Sequence, residues 1–306
     1  MTGARSLALA PLLTSLLFIL PLCSAGAADR PTPQTLSLSL APPALTAAIP
    51  ARQPGARSGS QFVSHVRAMD GAARERAIRA ELLAGNIPSF LRSLKKVELA
   101  GGAAVWVMPD YLAIGSDEDF VRFPASFETA TAVARQFGFV LPTTTIVDAI
   151  YDQAALRLAP QTMTPGPAMT STAYFEAHDE KIRAQTFGQR PGVLVAGHKK
   201  DYVVTNRLAA ARTQEAIYGW HRGSGSPIQP LSLVHGSRYA DYSHGVRLVA
   251  ETVYVGGEAR SFYDLLEARH QAPLLSREGA IPEARSLMGR WSPPAFGAPS
   301  SGRLGS

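Results

Sequence analysis

VRLVAETVYVGGEAR, Val246 to Arg260, consists of two β-rich runs on either side of a pair of glycines. Val, Thr and Tyr favour strands, and Gly256-Gly257 supplies the backbone freedom that a tight hairpin turn needs. The following residues, SFYDLLEARH, begin with Ser261, a residue type that caps helices, three positions before Asp264. The stretch therefore predicts a β-hairpin that leads directly into a helix.

Two upstream segments are also β-rich, GVLVAGHKKDYVVTNRL at 192–208 and AIYGWHR at 216–222. The first half of the chain has one hairpin pattern, around Gly101-Gly102, and otherwise shows apolar residues at helical spacing, at 70–85, 125–138 and 143–156. We therefore predict an α+β fold, in which a helical N-terminal half packs on a mostly antiparallel sheet in the C-terminal half.

The two ends of the chain differ in composition from its middle. Residues 1–27 have a positive charge, an apolar run and small residues before a cleavage position, which is the order of a signal peptide. Residues 28–60 are rich in Pro, Ala and Ser, as expected of a disordered spacer. We predict a single globular domain at 61–291 and a disordered tail at 292–306.

Cleavage after Ala27 would remove Cys23, which is the one cysteine of the sequence. The mature chain would then have no disulfide, no thiolate nucleophile and no Cys-ligated zinc. It would also keep no stable membrane span. We expect an exported protein, periplasmic or extracellular.

The formal net charge is +6 and the sequence pI is about 9.6. A basic protein outside the cytoplasm suits an anionic cell-envelope polymer such as peptidoglycan, although a solvated basic surface without such a partner gives the same value. We expect no nucleic-acid partner, because no Lys/Arg run with interleaved aromatic residues is present.

Four of the seven histidines, His198, His221, His235 and His244, lie at or next to the ends of apolar runs in the second half of the chain. Rigid strands often present reactive groups on the loops at their ends. We therefore expect these histidines to converge, although a single histidine at a strand end more often has a structural role. For His221, which lies beside Trp220, the structural interpretation is favoured.

The segments His198-x-x-Asp201 and Asp241-x-x-His244 each combine a carboxylate with an imidazole. If the loops meet, His198, Asp201, His235 and His244 form a nitrogen and oxygen ligand set suited to zinc. We expect zinc to be the cofactor, if the site uses one. The two segments resemble the zinc D,D-peptidases that trim peptidoglycan peptides, with a shorter first spacing than in that family.

A second resemblance concerns Ser243-His244-Gly245, followed by Arg247-Leu248, with His235-Gly236 upstream. This segment is similar to the active-site segment S-H-G-C-x-R-L of the L,D-transpeptidases, and it implies a related sheet acting on peptidoglycan. The catalytic cysteine has no counterpart here, since Val246 follows Gly245 directly. A cysteine mechanism is therefore excluded for this segment.

The remaining polar residues of 234–249 provide the groups that catalysis needs. We assign candidate catalytic roles to Asp241, Ser243, His244, Tyr242 and Arg247, with a carboxylate as base and the last two as oxyanion contacts. Ser243 is an alternative nucleophile, with His244 or His235 as base. In the structural interpretation, Tyr242 packs on the sheet and Arg247 faces solvent.

Candidate substrate-binding residues are Lys200, His221, Arg238 and Tyr239. Together these patterns predict an exported hydrolase that cleaves an amide or ester bond of a cell-envelope polymer, with peptidoglycan favoured. The alternative is a non-catalytic module that binds an envelope glycan or peptide through Arg238, Arg247, Lys199 and Lys200. An enzyme requires the imidazoles and carboxylates to lie together, whereas a binding module does not.

Overall fold

A computed structural model describes residues 43–289 of the chain. Within that range the α-helices are α1 Gly59–Val66, α2 Gly71–Leu83, α3 Phe127–Phe137, α4 Thr144–Gln153, α5 Thr172–Thr186, α6 Phe262–Glu267 and α7 Ala284–Gly289. The strands are β1 Lys95–Glu98, β2 Ala103–Val107, β3 Ile114–Gly115, β4 Phe120–Val121, β5 Phe139–Val140, β6 Leu156–Arg157, β7 Val195–Ala196, β8 Lys200–Tyr202, β9 Ile217–His221, β10 Pro227–Ser232, β11 His244–Gly245, β12 Val249–Val255 and β13 Glu258–Ser261.

The larger sheet has five strands in the order β1-β2-β12-β13, and β5 also pairs with β12. Its central strand, β12, is the first half of the hairpin predicted at Gly256-Gly257, and its partner β2 is buried along its whole length. A strand that is covered on both faces needs apolar residues at every position, which the sequence AAVWV of β2 provides. This sheet therefore forms the centre of the hydrophobic core.

The smaller sheet has the order β10-β9-β8-β11. Its last two strands run parallel, with His244 opposite Lys200 and Gly245 opposite Asp201. Since successive residues of a strand point to opposite faces, Lys200 and His244 share one face of this sheet. Asp201, between Lys200 and Tyr202 in β8, points to the other face. Each face carries its own group of polar side chains.

The structure confirms a mixed α/β protein whose sheets are mostly antiparallel. It does not confirm a helical first half packed on a sheet from the second half, because β1, β2 and β5 of the first half pair within the larger sheet. The hairpin patterns mark strand pairs as expected, and the helix cap predicted at Ser261 is present.

The predicted domain boundary at residue 61 falls inside α1, which begins at Gly59, and Ile49 is buried in the core. The signal peptide predicted at 1–27, most of the spacer's first half and the tail predicted at 292–306 lie outside the described residues. Between residues 43 and 289, none of the helices has both the length and the apolar character needed to cross a bilayer.

Gly245 tests the packing that holds β11 against β8. A Cβ atom at this position would lie 2.6 Å from Cδ1 of Tyr111 and 3.0 Å from Cβ of Lys199, and both neighbours are buried. We expect Gly245→Ala to lower the free energy of unfolding by about 1–3 kcal/mol, measured by urea denaturation. Gly71→Ala is the matched control, because no atom lies within 4 Å of its added methyl group. Equal stability of the two variants would contradict this packing.

Candidate functional site

Glu215 and His244 face each other inside the protein, on the face of the smaller sheet that also carries Lys200. Both side chains have zero exposure, and Nε2 of His244 lies 3.6 Å from Oε1 of Glu215. Among the described residues, neither carboxyl oxygen of Glu215 nor Nε2 of His244 has a hydrogen-bond partner. Buried polar groups are nearly always hydrogen-bonded, so this pair is unusual and requires an explanation.

The contacts of the second ring nitrogen fix which tautomer of His244 is present. The backbone N–H of Asp241 donates to Nδ1 of His244 at 3.3 Å, and the hydroxyl of Tyr202 lies 3.2 Å from the same atom. Tyr202 already donates its hydroxyl hydrogen to the carbonyl oxygen of Ala125 at 2.8 Å. Because Nδ1 accepts, the proton of the neutral ring lies on Nε2 and points toward Glu215.

The carboxylate of Asp241 forms the other side of this cluster. Its Oδ1 accepts hydrogen bonds from the backbone N–H of Ser243 at 2.8 Å and from the Ser243 hydroxyl at 2.5 Å. Its Oδ2 accepts from the hydroxyl of Tyr239 at 3.4 Å and lies 3.9 Å from Nε2 of His244. A turn at residues 241–244 therefore brings the carboxylate of Asp241 and the imidazole of His244 close together.

The environment separates the pKa values of the two carboxyl groups. Burial raises the pKa of Glu215 to about 9, although the nearby hydroxyl of Tyr202 acts to lower it. Burial also acts to raise the pKa of Asp241, but His244, Lys200 and the hydrogen bonds from Ser243 outweigh it and hold that pKa below its ordinary value. Burial lowers the pKa of His244 to about 3. At neutral pH the cluster thus contains a protonated carboxylic acid, a neutral imidazole and a carboxylate.

A thin layer of partly exposed side chains covers the cluster. The ring of His235 stacks on that of Tyr239, with centroids 4.1 Å apart, and both rings lie near His244. Lys200 is half-buried, with its Nζ 5.4 Å from the centroid of the Trp220 ring. The side chain of Arg238 is 88% exposed. Three of the predicted substrate or metal residues, His235, Tyr239 and Lys200, therefore lie at the rim of the cluster, with Asp241, Ser243 and His244 beneath them.

Two of the predicted zinc ligands have partners elsewhere. Asp201 accepts a hydrogen bond from the Tyr111 hydroxyl at 2.7 Å, and burial raises the pKa of Asp201 to about 6. Nε2 of His198 lies 3.1 Å from Oδ1 of Asp110, whose Oδ2 accepts from Arg122. Across residues 43–289, no three His, Cys, Asp or Glu side chains are arranged to hold a metal ion. The expected convergence of all four histidines does not occur.

In the structural interpretation Arg247 faces solvent, and that expectation is wrong. Arg247 is 1% exposed, its two terminal nitrogens donate to the carbonyl oxygens of Met108 and Val195, and its guanidinium lies over the ring of Tyr111. Lys199 is also 1% exposed and donates to the carbonyl oxygen of Tyr242. Neither cation is therefore presented to a ligand at the surface.

Tyr242 packs as the structural interpretation predicted, and its hydroxyl accepts from the backbone N–H of Met163 at 2.9 Å. His221 does not join the Glu215 cluster, since its Nε2 lies 2.9 Å from Oδ1 of Asp148. Sequence reasoning missed both Glu215 and Asp148. Each is a lone acid within an ordinary apolar pattern, and only the fold shows that it lies beside a histidine.

Comparisons of the chain with protein-family models, with curated proteins and with solved structures gave no match. The chemistry of the site therefore has to be inferred from its own geometry.

The pKa shifts predict how stability depends on pH. Folded Glu215 keeps its proton up to about pH 9, whereas an unperturbed glutamate loses it above 4.5. Between these values the folded state binds more protons, so stability falls as pH rises. His244 has the opposite effect between about pH 3 and 6.5, where only the unfolded state is protonated. Of these two groups, only Glu215 still contributes above pH 6.5.

We therefore expect Glu215→Gln to become more stable relative to the parent protein as pH rises from 6.5 to 9, by up to roughly 1.4 kcal/mol per pH unit. Glutamine does not titrate, which removes the effect. Urea denaturation across this range measures it. Glu258→Gln, at a side chain that is 78% exposed, is the control and should show no such trend. Parallel pH profiles for Glu215→Gln and the parent would contradict a protonated Glu215.

Proposed function

We propose that this protein is an exported hydrolase that cleaves an amide or ester bond of a cell-envelope polymer, with peptidoglycan as the favoured substrate. The observation that carries the proposal is the buried pair of Glu215 and His244, whose facing polar atoms lack partners among the described residues. Perturbed titratable groups that are retained inside a protein are typical of catalytic sites. The signal-like start and the basic charge support the envelope as the place of action.

At neutral pH each member of this pair can donate one hydrogen bond. The proton on Nε2 of His244 points toward Glu215, which itself carries a proton because burial raises its pKa to about 9. An oxygen atom placed beside both groups would accept two hydrogen bonds at once. A carbonyl oxygen in that position is polarised as its negative charge develops, and this is the stabilisation that acyl transfer requires. Glu215 can then donate its proton to the leaving group.

Asp241 is the base in this scheme. Its pKa lies below the ordinary value, so it is ionised where Glu215 is protonated, and two carboxyl groups with separated pKa values commonly act as an acid and base pair. The hydroxyl of Ser243 donates to Asp241 at 2.5 Å, which gives its proton a direct acceptor. Ser243→Ala distinguishes attack by this hydroxyl, which the variant abolishes, from attack by water, which it preserves.

Substrate needs a path to these buried groups. The stacked rings of His235 and Tyr239 belong to a loop whose neighbours Val234 and Arg238 are largely exposed. In the proposed enzyme this loop moves aside to admit the scissile bond and closes to exclude water, as the lids of many hydrolytic sites do. Lys200 at the rim provides a cation for anionic parts of the polymer.

Zinc does not fit the residues that were expected to hold it. Asp201 is bound to Tyr111, His198 to Asp110, and Nδ1 of His244 already accepts from Asp241. We therefore assign no step to a metal. Elemental mass spectrometry of the purified protein, with His235→Ala and His244→Ala as references, measures zinc directly, and stoichiometric zinc that both variants lose would contradict this assignment.

The activity test uses purified peptidoglycan, with mass spectrometry of the released fragments to identify the bond that is cleaved. We expect Glu215→Gln and Asp241→Asn each to lower the rate by about 10²–10⁴-fold, the usual contribution of a general acid or base. Glu258→Gln should retain full activity, because its side chain is exposed and distant in the fold.

Two outcomes would contradict the proposal. Full activity of Glu215→Gln and Asp241→Asn would exclude the acid and base assignment. Tight binding of the polymer without any cleavage would favour the alternative of a non-catalytic binding module, with Lys200 and Arg238 at its surface. Circular dichroism of each variant shows whether a loss of activity reflects a loss of folding.

A further inference from the structure

A second polar region lies on the opposite face of the smaller sheet from Glu215. It is a cavity of about 370 Å³, a size that suits small-molecule ligands. Its polar lining comes from α4, from β9 and the turn after it, and from the loop after α6, namely Asp148, Tyr151, Asp152, Tyr218, His221, Ser226 and Arg277. The sequence pattern singled out only His221 among them.

The hydrogen bonds in this cavity hold the side chains in fixed positions. Oδ1 of Asp148 lies 2.9 Å from Nε2 of His221 and accepts from the Tyr218 hydroxyl, also at 2.9 Å. Arg277 contacts the other oxygen of Asp148. The ring of Tyr151 stacks on His221, with centroids 4.5 Å apart and planes 19° from parallel. His221 is only 2% exposed, so its position is set before any ligand arrives.

Unusual backbone geometry directly precedes His221. Trp220 has a φ of 57° and Gly219 has a φ of 107°, which are conformations that non-glycine residues rarely adopt. A Cβ atom on Gly219 would also lie 3.3 Å from Val147 and 3.5 Å from Cε1 of His221. Backbone strain at a residue other than glycine often marks a functional site, and here it occurs at the residue directly before His221.

The charges of the lining decide which kind of ligand fits. The carboxylates of Asp148 and Asp152 disfavour an anion, whereas Arg277 disfavours a simple cation. An apolar molecule would remove water from the exposed carboxylate of Asp152 and from the guanidinium of Arg277, which costs free energy. A neutral ligand with many hydroxyl groups both donates and accepts hydrogen bonds, so it satisfies the mixed lining. Carbohydrate is the chemical class with this property.

We propose that this cavity binds a neutral, hydroxyl-rich sugar, and that it holds the glycan part of the polymer whose amide or ester bond is cleaved on the other face of the sheet. The sugar-binding role follows from the cavity alone. Only the identity of the polymer rests on the proposed function. The site adds a means of holding a glycan strand that the Glu215 cluster, which is buried, does not offer.

Isothermal titration calorimetry with a β-1,4-linked oligomer of N-acetylglucosamine tests this binding on the folded protein. We expect Asp152→Ala and Arg277→Ala each to weaken the affinity by about tenfold, because each removes a hydrogen-bonding group from the lining. Both side chains are largely exposed, so the variants should fold normally. The matched controls are Glu180→Ala and Arg269→Ala, exposed residues outside the cavity, which should bind like the parent protein.

Three outcomes would overturn the proposal: no binding of the oligomer, equal binding by the cavity variants and their controls, or preferential binding of inorganic phosphate or a polyamine. Glu215→Gln separates this inference from the proposed function. If that variant binds the sugar normally while neither it nor the parent cleaves peptidoglycan, the proposed hydrolase fails and the sugar site stands. If the parent cleaves peptidoglycan but does not bind the oligomer, the sugar site fails alone.

Discussion

The parallel pairing of β11 with β8 is the constraint on which the cluster of Glu215 and His244 depends. It sets His244 opposite Lys200 and Gly245 opposite Asp201, so that one short strand contributes to two faces at once. The close approach of the strands requires glycine at 245, because the ring of Tyr111 occupies the space of a side chain. From this register follow the burial of His244 beside Glu215 and the separation of Asp201 from the other predicted ligands.

A buried acid and a buried imidazole whose facing atoms lack hydrogen bonds are costly to keep. Desolvation holds both Glu215 and His244 in their neutral forms, and among residues 43–289 neither the carboxyl oxygens of Glu215 nor Nε2 of His244 gains a hydrogen-bond partner in return. The large apolar core around β2 and β12 can sustain such a cost. Proteins commonly keep such locally unfavourable groups at functional sites, where the surrounding structure offsets their cost. The cost of keeping Glu215 and His244 buried therefore supports the proposed acid and base chemistry.

Local patterns were sufficient to predict much of the secondary structure. The hairpin at Gly256-Gly257 and the helix cap at Ser261 depend on residues close in sequence, and the structure contains them. The arrangement of strands depends on distant pairing, which the patterns do not encode. For the same reason Glu215 was not foreseen as the partner of His244. Arg247 shows the reverse error, since its alternation with apolar residues suggested solvent exposure although it lies inside the protein.

A measurement of the protonation state of Glu215 tests its proposed role as proton donor most directly. Carbon-13 NMR of protein labelled at the glutamate carboxyl groups follows each one as pH changes. We expect one signal that titrates near pH 9, that is absent from Glu215→Gln and that persists in Glu258→Gln. If the Glu215 signal instead titrates near its ordinary value of 4.5, the side chain is ionised at neutral pH and cannot act as the proton donor.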